Sequence, residues 1–223
     1  MSAKTFIVPH DFTSRAECAL KHAVTTAKFV GATVYVLHVV PKDKNIKEAE
    51  AKLLTLLEDF DSQGVEIIPK IRVGNIFDDI GDFAAEHHAE LIFMGTHGAS
   101  GWQHIAGSHA LKVVTHSSVP FIIVQEKEPG ENGYDDIVVP LDLNKETKQK
   151  LAIVASMARY FNSRVHVITP DETDEFLKKT VQANIQFSKK FFSERGIEMT
   201  VTLAPPSGFD KEVVNLRLTK TQI

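Results

Sequence analysis

TFIVPHDFTSRAECALKHAVTTAKFVGATVYVLHVV, residues 5–40, holds a strand, a helix and a second strand in succession. Thr5–Pro9 and Thr33–Val40 are short runs rich in β-branched residues and apolar on both faces, as strands of a parallel sheet buried under helices require. Between them, Ser14-Arg-Ala-Glu17 has the spacing of a capping box. Ala16, Leu20, Ala23, Ala27 and Val30 follow at helical spacing, and Gly31 stops the helix. Working outward, Glu66–Arg72, Leu91–Met94 and Phe121–Val124 read as strands, and Ile46–Ser62, Ile76–His87 and Ser108–Ser117 as helices. The predicted fold is α/β, a doubly wound parallel sheet of order 3-2-1-4-5 with right-handed crossovers.

After Gly130 the pattern begins again. Phe6-Ile-Val-Pro-His-Asp11 returns as Ile137-Val-Val-Pro-Leu-Asp142, and Leu20, Ala27 and Val34 fall on Leu151, Ala158 and Val165. Gly64-Val-Glu returns as Gly196-Ile-Glu, and Phe77-Asp78 as Phe209-Asp210. This argues for duplication. Residues 1–127 are expected to form a complete domain. Residues 134–223 are expected to form a truncated copy, β-α-β-α-β-α, lacking strands four and five, with Gln125–Gly133 as the link.

Composition narrows the function. Of the 223 residues, 43% are hydrophobic and 24% charged, and Lys plus Arg against Asp plus Glu leaves a formal charge of −4. An evenly mixed, weakly acidic chain is a poor nucleic-acid binder, because that affinity comes from clustered cations. No apolar run is long enough to span a bilayer or to serve as a secretory signal, so the chain reads as soluble and cytoplasmic. Its single cysteine, Cys18, has no internal partner and fits a reducing compartment. Cys18 is expected on the partly exposed side of its helix, with no basic cluster to activate it.

In an open α/β sheet, ligands bind beyond the carboxyl ends of the strands where the order reverses, here between strands one and four. Pro9-His10-Asp11 lies there, as does Met94-Gly95-Thr96-His97-Gly98-Ala99-Ser100-Gly101, with Gly107-Ser108 opening the next helix. Glycines that let backbone N–H groups approach, followed by a helix N-terminus, make an anion site.

These residues resemble the universal stress protein family, in particular its tandem two-domain members. The resemblance rests on Pro9-His10-Asp11 ending strand one, His38-Val39-Val40 ending strand two, the Met94–Gly98 turn and Val119-Pro120 entering strand five. The family's nucleotide-binding form carries G-x2-G-x9-G-[ST]. Here Gly95-x2-Gly98-x8-Gly107-Ser108 is one residue shorter, and His10 and His109 stand where ATP-binding relatives have a small or β-branched residue. The resemblance implies an adenine nucleotide alpha hydrolase-like fold and, in the first half, ATP or another adenine nucleotide with magnesium. Asp11 and the Val39 backbone would hold adenine and ribose. Gly95, His97, Gly98, Gly107, Ser108 and His109 would line the phosphates, with Pro9, His10 and Met94 flanking.

Plainer roles stand beside these. Asp11 suits a turn cap, Ser108 an N-cap, and Trp102 either covers a base or packs the loop. His10, His38 and His97 near strand ends could converge on zinc, although no metal-ligand spacing is present. His87-His88 and His116 close helices, and Phe176, Phe187, Phe191 and Phe192 read as core or interface. Three functions remain open: a stress-response binding protein, a slow ATP hydrolase using Asp11 or His97 to position water, and a ligand-free interaction module. In tandem relatives the halves pair through their fifth strands. The second half here has none, so Phe121–Val124 is expected to pair with its copy in a homodimer.

Overall fold

The computed structural model describes residues 4–95, 117–141 and 147–220. They divide into two units, Met1–Gly133 and Tyr134–Ile223, each with its own sheet.

The first unit runs β1 (Lys4–Pro9), α1 (Ser14–Val30), β2 (Ala32–Val40), a 3-10 turn (Asp43–Asn45), α2 (Ile46–Glu58), β3 (Ile67–Val73), α3 (Ile76–Glu86), β4 (Leu91–Gly95) and β5 (Phe121–Val124). Every pairing is parallel and the order is β3-β2-β1-β4-β5, as the sequence predicts. Phe6, Ile7 and Val8 are fully buried, so β1 is the sheet's centre, covered on both faces. On one face α1 supplies Leu20, Ala23 and Val24, all without exposure. On the other, Ile7, Leu37 and Ile92 pack with Ile80, Phe83 and Ala84 of α3.

Two helix boundaries differ from the sequence reading. The N-cap of α1 is Thr13, whose Oγ1 accepts from the Ala16 N–H at 3.3 Å. Asp11 fixes this choice, because its Oδ1 accepts from both the Thr13 N–H (3.2 Å) and the Thr13 hydroxyl (2.6 Å). Helix α2 stops at Glu58 instead of Ser62. There the Asp61 side chain accepts from the Gln63 N–H at 2.9 Å, a local turn that competes with helix continuation.

The second unit runs β6 (Asp136–Pro140), α4 (Thr147–Phe161), β7 (Arg164–Pro170), α5 (Glu175–Ser193), β8 (Met199–Ala204) and α6 (Phe209–Lys220), with parallel order β6-β7-β8. Its registers repeat those of the first unit. Phe6↔Val34 and Val34↔Ile67 correspond to Ile137↔Val165 and Val165↔Met199. Helix α1 ends on Gly31 (φ 66°). At the matching place after α4 stands Asn162 (φ 54°), the other residue type that tolerates a left-handed backbone. Leu151, Ala155, Ala158 and Phe192 close the core over Val139, Val165 and Val167. The four phenylalanines separate: Phe192 is core, whereas Phe176 is 75% exposed.

A polar cluster crosses this sheet. Arg164 grips Asp136 through two bonds (2.9 and 3.0 Å). Asp136 in turn accepts from His166 Nε2 at 2.6 Å, and His166 Nδ1 lies 2.7 Å from the Thr200 hydroxyl. Burial raises the Asp136 pKa, but the bonds from His166 and Arg164 outweigh it and hold the carboxyl below its usual range. Among the described residues no helix is long and apolar enough to cross a membrane.

Candidate functional site

The sheet order reverses between β1 and β4, and the chain around that point is tightly specified. Pro9 pairs with Leu37, and the His10 N–H continues the ladder to the Leu37 carbonyl at 2.9 Å. The His38 Nδ1–H donates to the His10 carbonyl at 2.7 Å, closing the ends of β1 and β2 together. Val39 lies just beyond, paired with Arg72 and half-buried. On the other side Met94 and Gly95 pair with Ile123 and Val124. The structure therefore brings Pro9, His10, Asp11, Val39, Met94 and Gly95 to one edge of the sheet. His97, Gly98, Gly107, Ser108 and His109 lie outside the described residues, as do Trp102, His116 and Asp142.

His10 is 3% exposed. The Phe12 N–H points at its Nδ1 at 3.1 Å. A backbone N–H can only donate, so Nδ1 is the acceptor and the imidazole proton sits on Nε2. Burial pushes the His10 pKa down and His38 adds to this, against opposing pulls from Asp11 and Glu17. His10 is thus a neutral donor. Its Nε2 is buried and has no hydrogen-bond partner among the described residues.

Asp11 caps the turn, its Oδ1 being the acceptor that fixes Thr13. Its side chain is exposed. Gly95 also has a packing reason for being glycine. A Cβ there would overlap the Arg15 carbonyl oxygen and lie 2.5 Å from the Arg15 carbonyl carbon and 2.8 Å from Ala16 N. The first turn of α1 rests directly on the end of β4.

Two residues at this edge escape a reading of the sequence. Phe12 holds a left-handed backbone (φ 64°), rare for an aromatic residue, and its ring packs on His38 with centroids 4.6 Å apart. Arg15, on the first turn of α1, reaches Glu126 at 2.7 Å, and its buried Nε has no partner among the described residues. An arginine in a helix's first turn was visible in the sequence, but a contact spanning 111 positions has no local signature. Cys18 differs from expectation. It is buried, its Sγ 3.5 Å from the Lys127 carbonyl, and burial foremost raises its pKa. Among the described residues no group of three or more His, Cys, Asp or Glu side chains could hold a metal ion.

The family model described as the universal stress protein family matches residues 2–125. The chain belongs to the universal stress protein family. Universal stress protein G of Escherichia coli O157:H7 is 26% identical over 141 residues, covering 55% of this chain and 99% of its own. A universal stress protein of Methanocaldococcus jannaschii is 28% identical over 143 residues, 55% of this chain and 82% of its own. The solved universal stress protein from Archaeoglobus fulgidus DSM 4304 superposes with a TM-score of 0.78 at 19% identity, covering 99% of this chain and 85% of that one. At that identity the likeness establishes the fold.

Proposed function

We propose that the first unit binds an adenine nucleotide, ATP or a close relative, beyond the carboxyl ends of β1, β2 and β4, and that binding, not turnover, is its activity in the stress response. One observation carries this reading. Among the described residues two buried side-chain polar atoms lack a partner, His10 Nε2 and Arg15 Nε; both residues belong to this edge, and both atoms are N–H donors. A buried donor left without an acceptor costs about 1–3 kcal/mol, so two at one place suit a ligand rich in acceptor oxygens. A phosphorylated nucleoside has that chemistry. Asp11 Oδ1 is committed to Thr13, so a ribose hydroxyl would use the other oxygen of the exposed carboxylate.

Two further readings go with it. The repeated register and the Gly31–Asn162 correspondence support the second unit as a copy of the first. β5 is the outer strand of its sheet and Ile123 is 36% exposed, which supports self-pairing through Phe121–Val124 in a cytoplasmic homodimer.

Thermal melting with ATP, ADP and AMP, with and without magnesium, tests the main reading. At a hundredfold excess over Kd a ligand stabilises by about 2.7 kcal/mol, a shift of several degrees. No shift at millimolar nucleotide refutes it. Phosphate release that disappears in Asp11→Ala would instead establish hydrolysis.

A further inference from the structure

Beyond β5 the chain does not leave the sheet freely. Residues Gln125–Glu128 lie along α1 as a strap, fastened at four points. Arg15 pairs with Glu126 (2.7 Å) and Lys21 with Glu128 (2.6 Å). Buried His22 places Nε2 2.8 Å from the Lys127 carbonyl, and Cys18 packs under the same carbonyl. The strap runs on into Gly130–Gly133 and then into the second unit at Tyr134.

Of these fastenings, Arg15–Glu126 is the one that touches the candidate site. The Arg15 backbone abuts Gly95, and Glu126 follows two residues after Val124, the pairing partner of Gly95. Arg15 therefore joins the two strand ends, its backbone against Gly95 of β4 and its guanidinium on Glu126 just past β5. Among the described residues the Arg15 Nε–H has no acceptor, and the carboxylate partner of Arg15 is 74% exposed.

From this geometry we infer that Glu126 is an internal competitor for Arg15, and that a phosphate group at the site draws Arg15 away and releases the strap. The inference rests on the phosphate-binding reading of this edge and adds its regulation. The vacant Nε–H gives an incoming anion a first bond without breaking any. A di- or triphosphate then offers more charge and two-pronged geometry than one solvated carboxylate. An exposed ion pair is weak, so the exchange is easily driven. The strap leads to the second unit, and occupancy of the first thereby reaches the link between them.

Linkage fixes the sizes. If the ligand binds only the form in which Arg15 is free, the factor by which removing Glu126 tightens binding equals the factor by which saturating ligand raises the released population. The strength of exposed ion pairs puts both at about two- to fivefold.

Cys18, the single cysteine of the chain, is a built-in reporter, because it lies beneath the strap. The experiment follows its reaction with a disulfide reagent, and tryptic cleavage after Lys127, in the full chain and in Glu126→Gln and Arg15→Met. Ligands are ATP, inorganic pyrophosphate and adenosine, with affinities from calorimetry. ATP and pyrophosphate should each speed both reactions about two- to fivefold, while adenosine does nothing. Glu126→Gln should react faster without ligand and bind ATP about two- to fivefold tighter. Arg15→Met should react fast throughout and ignore pyrophosphate. ATP that binds without changing either rate, or Glu126→Gln with unaltered affinity, overturns the inference while leaving nucleotide binding intact. If ATP does not bind, the nucleotide reading falls alone. The strap is then judged on pyrophosphate, and rates that pyrophosphate leaves unchanged overturn it as well. Glu126→Gln alters an exposed side chain and will fold, so the test does not depend on Arg15→Met.

Discussion

Gly95→Ala isolates the packing on which the candidate site is built. The added Cβ would overlap the Arg15 carbonyl oxygen and lie 2.5 and 2.8 Å from the next backbone atoms, where ordinary contact begins at 3.4 Å, so the first turn of α1 must retreat by at least 0.9 Å or β4 must bend. Backbone cannot rotate away as a side chain end can. The cost belongs at the upper end of overpacking, about 3 kcal/mol, which for a unit of this size lowers Tm on the order of 10 °C. Gly31→Ala is the control, because a Cβ there meets nothing within 4 Å and only the positive φ resists it. That penalty is about 1–2 kcal/mol, and Gly31→Asn should recover most of it, since Asn162 holds the same conformation natively. Urea unfolding followed by far-UV circular dichroism gives the three values, with the first unit's transition as the readout. Gly95→Ala within about 0.5 kcal/mol of wild type would refute the close approach of α1 to β4.

The two units should answer acid differently. His10 and His22 are held neutral by burial, below the ordinary value of 6.5, so the unfolded chain takes up protons first and the first unit loses stability as pH falls from about 6.5. In the second unit the depressed carboxyl of Asp136 contributes stability that is complete above the usual carboxylate range near 4 and is lost only below it. Acid titration of both transitions checks this, and in Asp136→Asn the second unit's low-pH slope should flatten. Asp11→Ala removes the one acceptor, Oδ1, that serves both Thr13 donors and should cost about 1–2 kcal/mol even without ligand; a purely ligand-binding Asp11 would leave apo stability unchanged, as urea titration would show. Ile123→Lys places a charge on the outer strand, and light scattering should show a dimer reduced to monomer; an unchanged mass would rule out pairing through β5.

Strand positions were legible in the sequence because burial on both faces leaves a local mark. Phe6-Ile-Val and Leu91-Ile-Phe are uninterrupted apolar runs, and the strands that contain them sit where expected. The sheet order leaves no such local mark and followed only from supposing a doubly wound topology. The site was legible only in part. Its backbone positions follow from topology, but the orphaned donor of His10 depends on Phe12 closing back onto Nδ1, and the role of Arg15 depends on a carboxylate 111 residues away. The N-cap was misplaced by one residue because Ser14 satisfies the local pattern as well as Thr13. Only the Asp11 side chain, fixed by the turn, breaks the tie.

The corner from β1 to α1 takes four residues, His10 to Thr13, and Phe12 makes it that short by turning left-handed. So abrupt a reversal lays the start of the helix on the neighbouring strand end. An insertion there would slide the helix along its axis by about 1.5 Å per residue and carry Arg15 out of reach of its partner. The corner therefore admits substitution but no change of length.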